Sequence, residues 1–87
     1  MEQEEQLKAV KNLIETGNIK DLRSIFLYVK KSQVNLKIGG NYYRFLRYVK
    51  NPRLMSFDDV YSIARVFDVT PSQITVIVLN QIDMKKK

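Results

Sequence analysis

A double glycine, Gly39-Gly40, separates two short amphipathic segments and constrains the fold more than any other feature of the chain. The segments, Ser32–Ile38 and Asn41–Val49, are both too short to be stable helices by themselves in water. Asn51-Pro52 ends the second segment, because a residue that precedes proline is disfavoured in the helical conformation. The pattern predicts two short helices that are joined by a tight turn and dock together on a core.

The second segment has an apolar face and a basic face. Its apolar residues follow the i, i+3, i+4, i+7 spacing of a helix face and are Tyr42, Phe45, Leu46 and Val49. The residues left on or near the other face are Tyr43, Arg44, Arg47 and Lys50. Two helices with a glycine turn form the helix-turn-helix motif, and an outward face of cations and a phenol is typical of a helix that meets phosphates and base edges.

The positive charge is concentrated around this motif. The net charge of +6 divides into −2 for residues 1–16, +8 for residues 17–53 and 0 for residues 54–87. The basic block favours a polyanionic partner, and double-stranded DNA is the partner we predict. The alternative is that lysines only solvate a small domain, but their clustering argues against it.

Composition excludes several other classes of function. The 87 residues contain no Cys and no His, so disulfides, thiolate metal sites and the commonest catalytic bases are missing. We therefore expect no enzyme activity, no cofactor and no metal. No apolar run is long enough to cross a membrane, and the acidic start is unlike a signal peptide. The expected location is the cytoplasm, in association with the nucleoid if the protein binds DNA.

Helix start and stop signals predict an all-α fold, a compact bundle of about five short helices plus an N-terminal helix. The chain is expected to be a single domain, 1–87, with an accessory helix in 1–17, a helix-turn-helix domain in 20–82 and a basic tail in 83–87. The predicted helices outside the motif are Glu4–Thr16, Leu22–Val29 after a capping Asp21, 57–68 after a capping Ser56, and one that begins after Thr70. The residues expected inward on the helix after Ser56 are Phe57, Val60, Tyr61, Ala64 and Phe67.

The sequence leaves two alternatives for the secondary structure of the last segment and two for the role of its aliphatic residues. Ile74–Leu79 is rich in β-branched residues and favours a strand by propensity, but Thr70, Pro71 and Gln73 are strong helix start signals, so we predict a helix. Its aliphatic residues either pack in the core or form the contact of a homodimer through helix 71–82.

The order of these signals resembles the lambda-repressor-like (Cro/repressor, XRE-type) DNA-binding domains, especially small bacterial members. The similarity covers about residues 20–80 and is carried by the glycine turn, the Asn51-Pro52 stop, the Ser56 cap and Val66–Pro71. It implies that Asn41–Val49 is a recognition helix in the major groove. It also implies that Val34, Ile38, Phe45 and Tyr48 pack inward. Asn35 departs from the family, which favours Ala there, and Gly40 stands where an aliphatic residue is usual.

The resemblance and the charge pattern together give a set of DNA-binding residues. Those expected to face DNA are Asn41, Tyr42, Tyr43, Arg47 and Lys50, although periodicity places Tyr42 inward. Those expected to contact the phosphate backbone are Gln33, Arg44, Lys30, Lys31 and Lys37. The predicted function is DNA binding in transcriptional regulation. The alternative is a protein-interaction module of the same shape, because aromatic side chains beside cations also suit a protein interface.

Overall fold

Helices account for all the regular secondary structure in the part of the chain that the computed structural model describes, residues 2–85. The prediction of an all-α fold is confirmed. A single 3-10 turn, Pro52–Leu54, follows the fourth helix. The α-helices in chain order are α1 (Glu2–Glu15), α2 (Leu22–Ile25), α3 (Lys31–Ile38), α4 (Tyr42–Lys50), α5 (Phe57–Phe67) and α6 (Pro71–Lys85).

Side-chain caps fix where the helices begin, as predicted. Asp21 accepts a hydrogen bond from the Ser24 amide at 2.8 Å at the start of α2. Ser56 and Asp59 form a reciprocal capping box at the start of α5. The Thr70 hydroxyl accepts from the Gln73 amide at 3.2 Å, while the Gln73 side chain accepts from the Thr70 amide at 2.9 Å. Each cap satisfies backbone N–H groups that have no partner inside their own helix.

Helix α2 is shorter than predicted. It ends at Ile25, and the chain continues to Val29 in tight turns whose amides bond three residues back, as from Phe26 to the Arg23 carbonyl at 3.1 Å. The apolar residues of the predicted helix nevertheless face inward, because Leu22, Ile25 and Val29 are buried.

Helix α6 replaces the strand that local propensity allows. Ile74, Ile77 and Val78 are buried, while Val76 and Leu79 are exposed. The packing alternative therefore accounts for most of the aliphatic run, and two residues remain for a partner. The helix extends into the predicted tail as far as Lys85, and Lys86 and Lys87 lie outside the described residues.

Helix α5 is rotated about its axis relative to the prediction. Phe57 and Tyr61, expected inward, are exposed, and Phe57 is 86% exposed. Ile63, which the predicted face omitted, is fully buried. In this orientation Ile63 packs in the core and Asp59 bonds to Arg44 of α4.

One hydrophobic core joins the helices. Residues from α1, α2, α3, α4, α5 and α6 contribute to it, and they include Val10, Leu22, Val34, Phe45, Ile63 and Ile74. The radius of gyration is 11.9 Å, which is the size expected of a single packed domain with this many residues.

No single helix among residues 2–85 is long and apolar enough to cross a membrane. Helices α5 and α6 together pass the same test of length and composition, but the chain bends by 115° between them.

Gln81 is a fully buried polar residue on α6 that links two other helices. Its Oε1 accepts a hydrogen bond from the Arg23 amide at 3.1 Å, in the first turn of α2. Its Nε2 donates to the Val49 carbonyl at 2.9 Å, in the last turn of α4. One side-chain amide thus satisfies a terminal N–H of one helix and a terminal C=O of another.

The two glycines of the turn between α3 and α4 have different backbone requirements, so substituting each by alanine should have different effects. Gly39 has a φ of +82°, where a side chain is strained, and we expect Gly39→Ala to lower the free energy of unfolding by about 1–2 kcal/mol. Gly40 lacks a positive φ, and a Cβ there would meet only Ile38 Cγ2 at 3.9 Å. Gly40→Ala should be neutral or stabilising by up to about 1 kcal/mol. Urea unfolding of both variants measures the difference, and equal destabilisation would contradict it.

Candidate nucleic-acid interface

Helix α4 is fixed to the core by one face and exposes a stripe of three residues on the other. Phe45, Tyr48 and Val49 are buried. The exposed residues Tyr43, Arg47 and Lys50 are spaced i, i+4, i+7, so they lie along one line on the helix surface about 10 Å long. Tyr43, which begins the stripe, is 76% exposed. The stripe therefore presents a phenol and two cations from a rigid support.

The inward face of α4 combines the two expectations made from the sequence. Tyr48 is buried as the family pattern implies, and Val49 is buried as the periodicity predicts. Leu46 is half-buried. The ring of Phe45 packs edge-on against the rings of Tyr48, at a centroid distance of 5.1 Å, and Phe26, at 5.7 Å. These aromatic contacts determine how α4 is rotated about its axis.

Tyr42 lies at the boundary between core and surface. Tyr42 is 38% exposed, and its ring stacks on that of Phe45 with centroids 6.5 Å apart and planes at 15°. It is also 6.5 Å from the ring of Tyr43. Tyr42 thus packs on the core and still reaches the surface beside the stripe.

Asn41 caps α4 with its own side chain. Its Oδ1 accepts a hydrogen bond from the Arg44 amide at 3.0 Å. Its NH₂ group makes no hydrogen bond within residues 4–83. The cap holds the residue at the exposed start of the helix.

Arg44 makes a bidentate ion pair with Asp59 of α5. Its Nη1 and Nη2 donate to the two carboxylate oxygens of Asp59 at 2.8 and 2.6 Å, and its guanidinium lies 5.6 Å from the centre of the Tyr48 ring. The sequence predicted Arg44 as a phosphate contact. The structure gives it an intramolecular anion, so its first role is to join α4 to α5.

Asp59 is held in its charged form by this arrangement. Burial raises the pKa of the carboxyl group, but hydrogen bonds from Arg44 and from the amide and hydroxyl of Ser56 outweigh burial and hold the pKa below its ordinary value. The Ser56 amide donates to Asp59 Oδ2 at 2.8 Å. A single carboxylate therefore caps α5 and anchors α4, and the ion pair with Arg44 requires that it stay ionised.

The turn that precedes α4 is closed by Asn35. Its Nδ2 donates to the Gly40 carbonyl at 3.1 Å, and its own carbonyl accepts from the Gly39 amide at 2.8 Å. The departure from the alanine of the family pattern is thus explained: a longer side chain spans the turn and restrains Gly40.

Helix α3 divides the predicted phosphate contacts between its two flanks. Lys31 lies one turn before Asn35, on the flank toward the turn and α4. Gln33 and Lys37 lie on the other flank and line a small cavity with Leu7 of α1. The structure therefore does not bring Gln33 and Lys37 together with the exposed stripe of α4.

Two further cations lie at or near the ends of α3 and α4. Lys30 is exposed at the start of α3, and its side chain makes no capping hydrogen bond. Arg53, which sequence reasoning did not select, is exposed in the 3-10 turn directly after α4. Its spacing could have identified it, because Arg47, Lys50 and Arg53 follow one another at intervals of three residues.

An apolar groove lies between the 3-10 turn, α5 and α6. It has a volume of about 340 Å³, and its lining residues include Met55, Phe57, Val60 and Leu79. Phe57 and Leu79 are both exposed, so the groove is open to a partner.

The described residues contain no group of three or more Asp or Glu side chains that could hold a metal ion.

The lambda-repressor-like assignment remains a prediction that rests on the glycine turn, the Asn51-Pro52 stop, the Ser56 cap and Val66–Pro71. Comparison of the chain with protein-family models, with curated proteins and with solved structures found no match.

Proposed function

We propose that the protein binds double-stranded DNA through α4, as a helix-turn-helix domain of a transcriptional regulator. The observation that carries the proposal is the stripe of Tyr43, Arg47 and Lys50 on a helix whose opposite face is locked into the core. A major groove about 12 Å wide admits one α-helix. A helix with exposed cations and a fixed orientation suits that groove.

Two residues of the stripe, and Asn41 at the start of the same helix, have chemistry that suits contact with DNA. Arg47 is suited to a guanine, whose O6 and N7 accept both arms of a guanidinium. The free amide protons of Asn41 suit a phosphate or an acceptor on a base edge. Tyr43 contributes a hydroxyl and an apolar ring at the start of the helix.

The surrounding cations supply affinity that does not depend on sequence. Lys30 and Lys31 begin α3, and Lys50 and Arg53 lie at and beyond the end of α4. Together with the +8 charge of residues 17–53, they support contact with phosphates on both sides of a groove.

The salt dependence of binding to random duplex DNA tests this proposal. We expect log affinity to fall linearly with log salt concentration. Random duplex DNA offers no specific site, so we expect Arg47 as well as Lys50 to contact phosphate there. The double variant Arg47→Ala, Lys50→Ala should then reduce the slope by about 2, since each lost phosphate contact removes about 0.9. Fluorescence anisotropy over a series of salt concentrations measures both quantities.

The matched control is Lys8→Ala, Lys20→Ala, which removes the same charge from exposed positions on α1 and the segment after it. Its slope should equal that of the unmodified protein. An equal reduction in both double variants would mean that net charge alone drives binding, and a lack of binding at low salt would refute the DNA proposal.

The apolar groove supports a second candidate function, which is binding of a protein partner. Leu79 remains exposed on α6 at this groove, and Phe57 extends the exposed apolar surface onto α5. Exposed apolar surface of this kind marks interaction sites. We propose a second copy of the chain, in a homodimer through helix 71–82, as its occupant. The molecular mass in solution at increasing protein concentration tests this, and a monomer at every concentration would refute it.

A further inference from the structure

A depression between the last turns of α3 and α5 is lined by two cationic side chains and a hydroxyl group. Its volume is about 370 Å³, and its lining residues are Lys37, Ile38, Ser62, Arg65 and Val66. Lys37 belongs to the last turn of α3, and Arg65 to the last turn of α5. Two helices therefore bring like charges to the edge of one concave space.

No acidic side chain lines the depression. Within residues 4–83, neither Lys37 nor Arg65 has a carboxylate within 4.0 Å, and the Ser62 hydroxyl makes no hydrogen bond. Asp68, three residues after Arg65, pairs instead with Lys11 of α1 at 3.0 Å. Two cations that share such a space repel each other, and an anion placed between them would be attracted by both.

The geometry points to a binding site for a compact dianion, a phosphate monoester or inorganic phosphate, at this depression. A phosphate monoester carries a charge near −2 at neutral pH, which matches one lysine and one arginine. The planar guanidinium of Arg65 suits two phosphate oxygens, the ammonium of Lys37 acts as a point charge, and Ser62 supplies a further donor.

The site is separate from the surface proposed to meet DNA. Lys37 lies on the flank of α3 toward α1, as its shared cavity with Leu7 indicates, and Arg65 belongs to α5. The exposed stripe of α4 contributes no residue to the depression. This inference therefore stands whether or not the protein binds DNA.

Titration of the full chain with inorganic phosphate, followed through backbone amide NMR shifts, tests the site. We expect saturable shifts at Lys37, Ser62 and Arg65 that chloride at equal ionic strength does not produce. Lys37→Gln and Arg65→Gln should each weaken phosphate binding by about tenfold or more, because each removes one of two charge-assisted contacts. The same spectra show whether each variant is folded. If one of the two variants does not fold, the other still tests the site.

Lys20→Gln is the matched control, since it removes one exposed cation outside both the depression and the surface proposed to meet DNA, and it should leave phosphate binding unchanged. An equal loss in this variant, or the lack of saturable shifts at Ser62 and Arg65, would overturn the inference. A DNA titration identifies the source of the phosphate. Arg65→Gln should keep full affinity for duplex DNA, and a loss as large as that of Arg47→Ala would make the depression a backbone contact instead.

Discussion

Replacing Gln81 with methionine is expected to lower the free energy of unfolding by about 2–4 kcal/mol, although the two side chains have similar volumes. Gln81 is 0% exposed, and its amide bonds to the Arg23 N–H and the Val49 carbonyl. Methionine leaves both backbone groups without that partner, and each unsatisfied group costs about 1–3 kcal/mol when it is kept from water. The midpoint of thermal unfolding should fall by roughly 10–20 °C for a domain of this size.

Asn80→Ala is the control for this prediction. Asn80 precedes Gln81 on the same helix, and its side chain is exposed. Its replacement should change the free energy of unfolding by less than about 0.5 kcal/mol. If Gln81→Met unfolds at the same temperature as the unmodified protein, the two hydrogen bonds make no net contribution to stability.

Replacing Asp59 with asparagine should lower the free energy of unfolding at pH 7 by about 1–2 kcal/mol. The variant keeps the size of the side chain but loses the negative charge that Arg44 and Ser56 stabilise. The expected loss is small for a charged hydrogen bond, because the Arg44 side chain is 54% exposed and water screens the ion pair.

The pH dependence of this loss distinguishes charge from shape. The pKa of Asp59 is lower in the folded protein than its ordinary value of 3.8. Its ionisation therefore stabilises the fold fully above about pH 5, and the contribution is lost as pH falls through the folded pKa. The difference between the unmodified protein and Asp59→Asn should consequently shrink below about pH 4. Urea unfolding at a series of pH values measures it.

Asp58→Asn provides the comparison, because Asp58 is exposed in the same first turn of α5. It should cost only about 0.3–1 kcal/mol through the helix dipole. A loss for Asp59→Asn that is constant from pH 7 to pH 3 would indicate that packing, and not the ion pair, explains its effect.

The starts of α2, α5 and α6 could be predicted because their causes are local. Each cap joins a side chain to a backbone amide three residues away, so Asp21, Ser56 and Thr70 are visible in the sequence itself. The same local signals correctly favoured a helix over a strand for Ile74–Leu79. Exposure of the α4 stripe could also be predicted, since it follows from helical spacing.

The rotation of α5 could not be predicted from spacing, because its apolar residues cover a wide arc that allows more than one inward face. The observed face buries Ile63 and pairs Asp59 with Arg44, contacts that come from other helices, and Arg44 lies 15 residues earlier in the chain. The prediction that put Phe57 and Tyr61 inward was wrong for this reason. Nothing near Gln81 in the sequence marks it as buried, since its partners are 32 and 58 residues away.

These separations also bear on the order in which the protein folds. The hydrogen bonds of Gln81 close loops of 32 and 58 residues, and loop closure must be complete before such contacts contribute any stability. We therefore expect α6 to dock late and the Gln81 contacts to be weak in the folding transition state. Contacts that form after the transition state mainly control the unfolding rate. The side chain that joins the ends of α2 and α4 thus sets how long the folded protein persists more than how fast it forms.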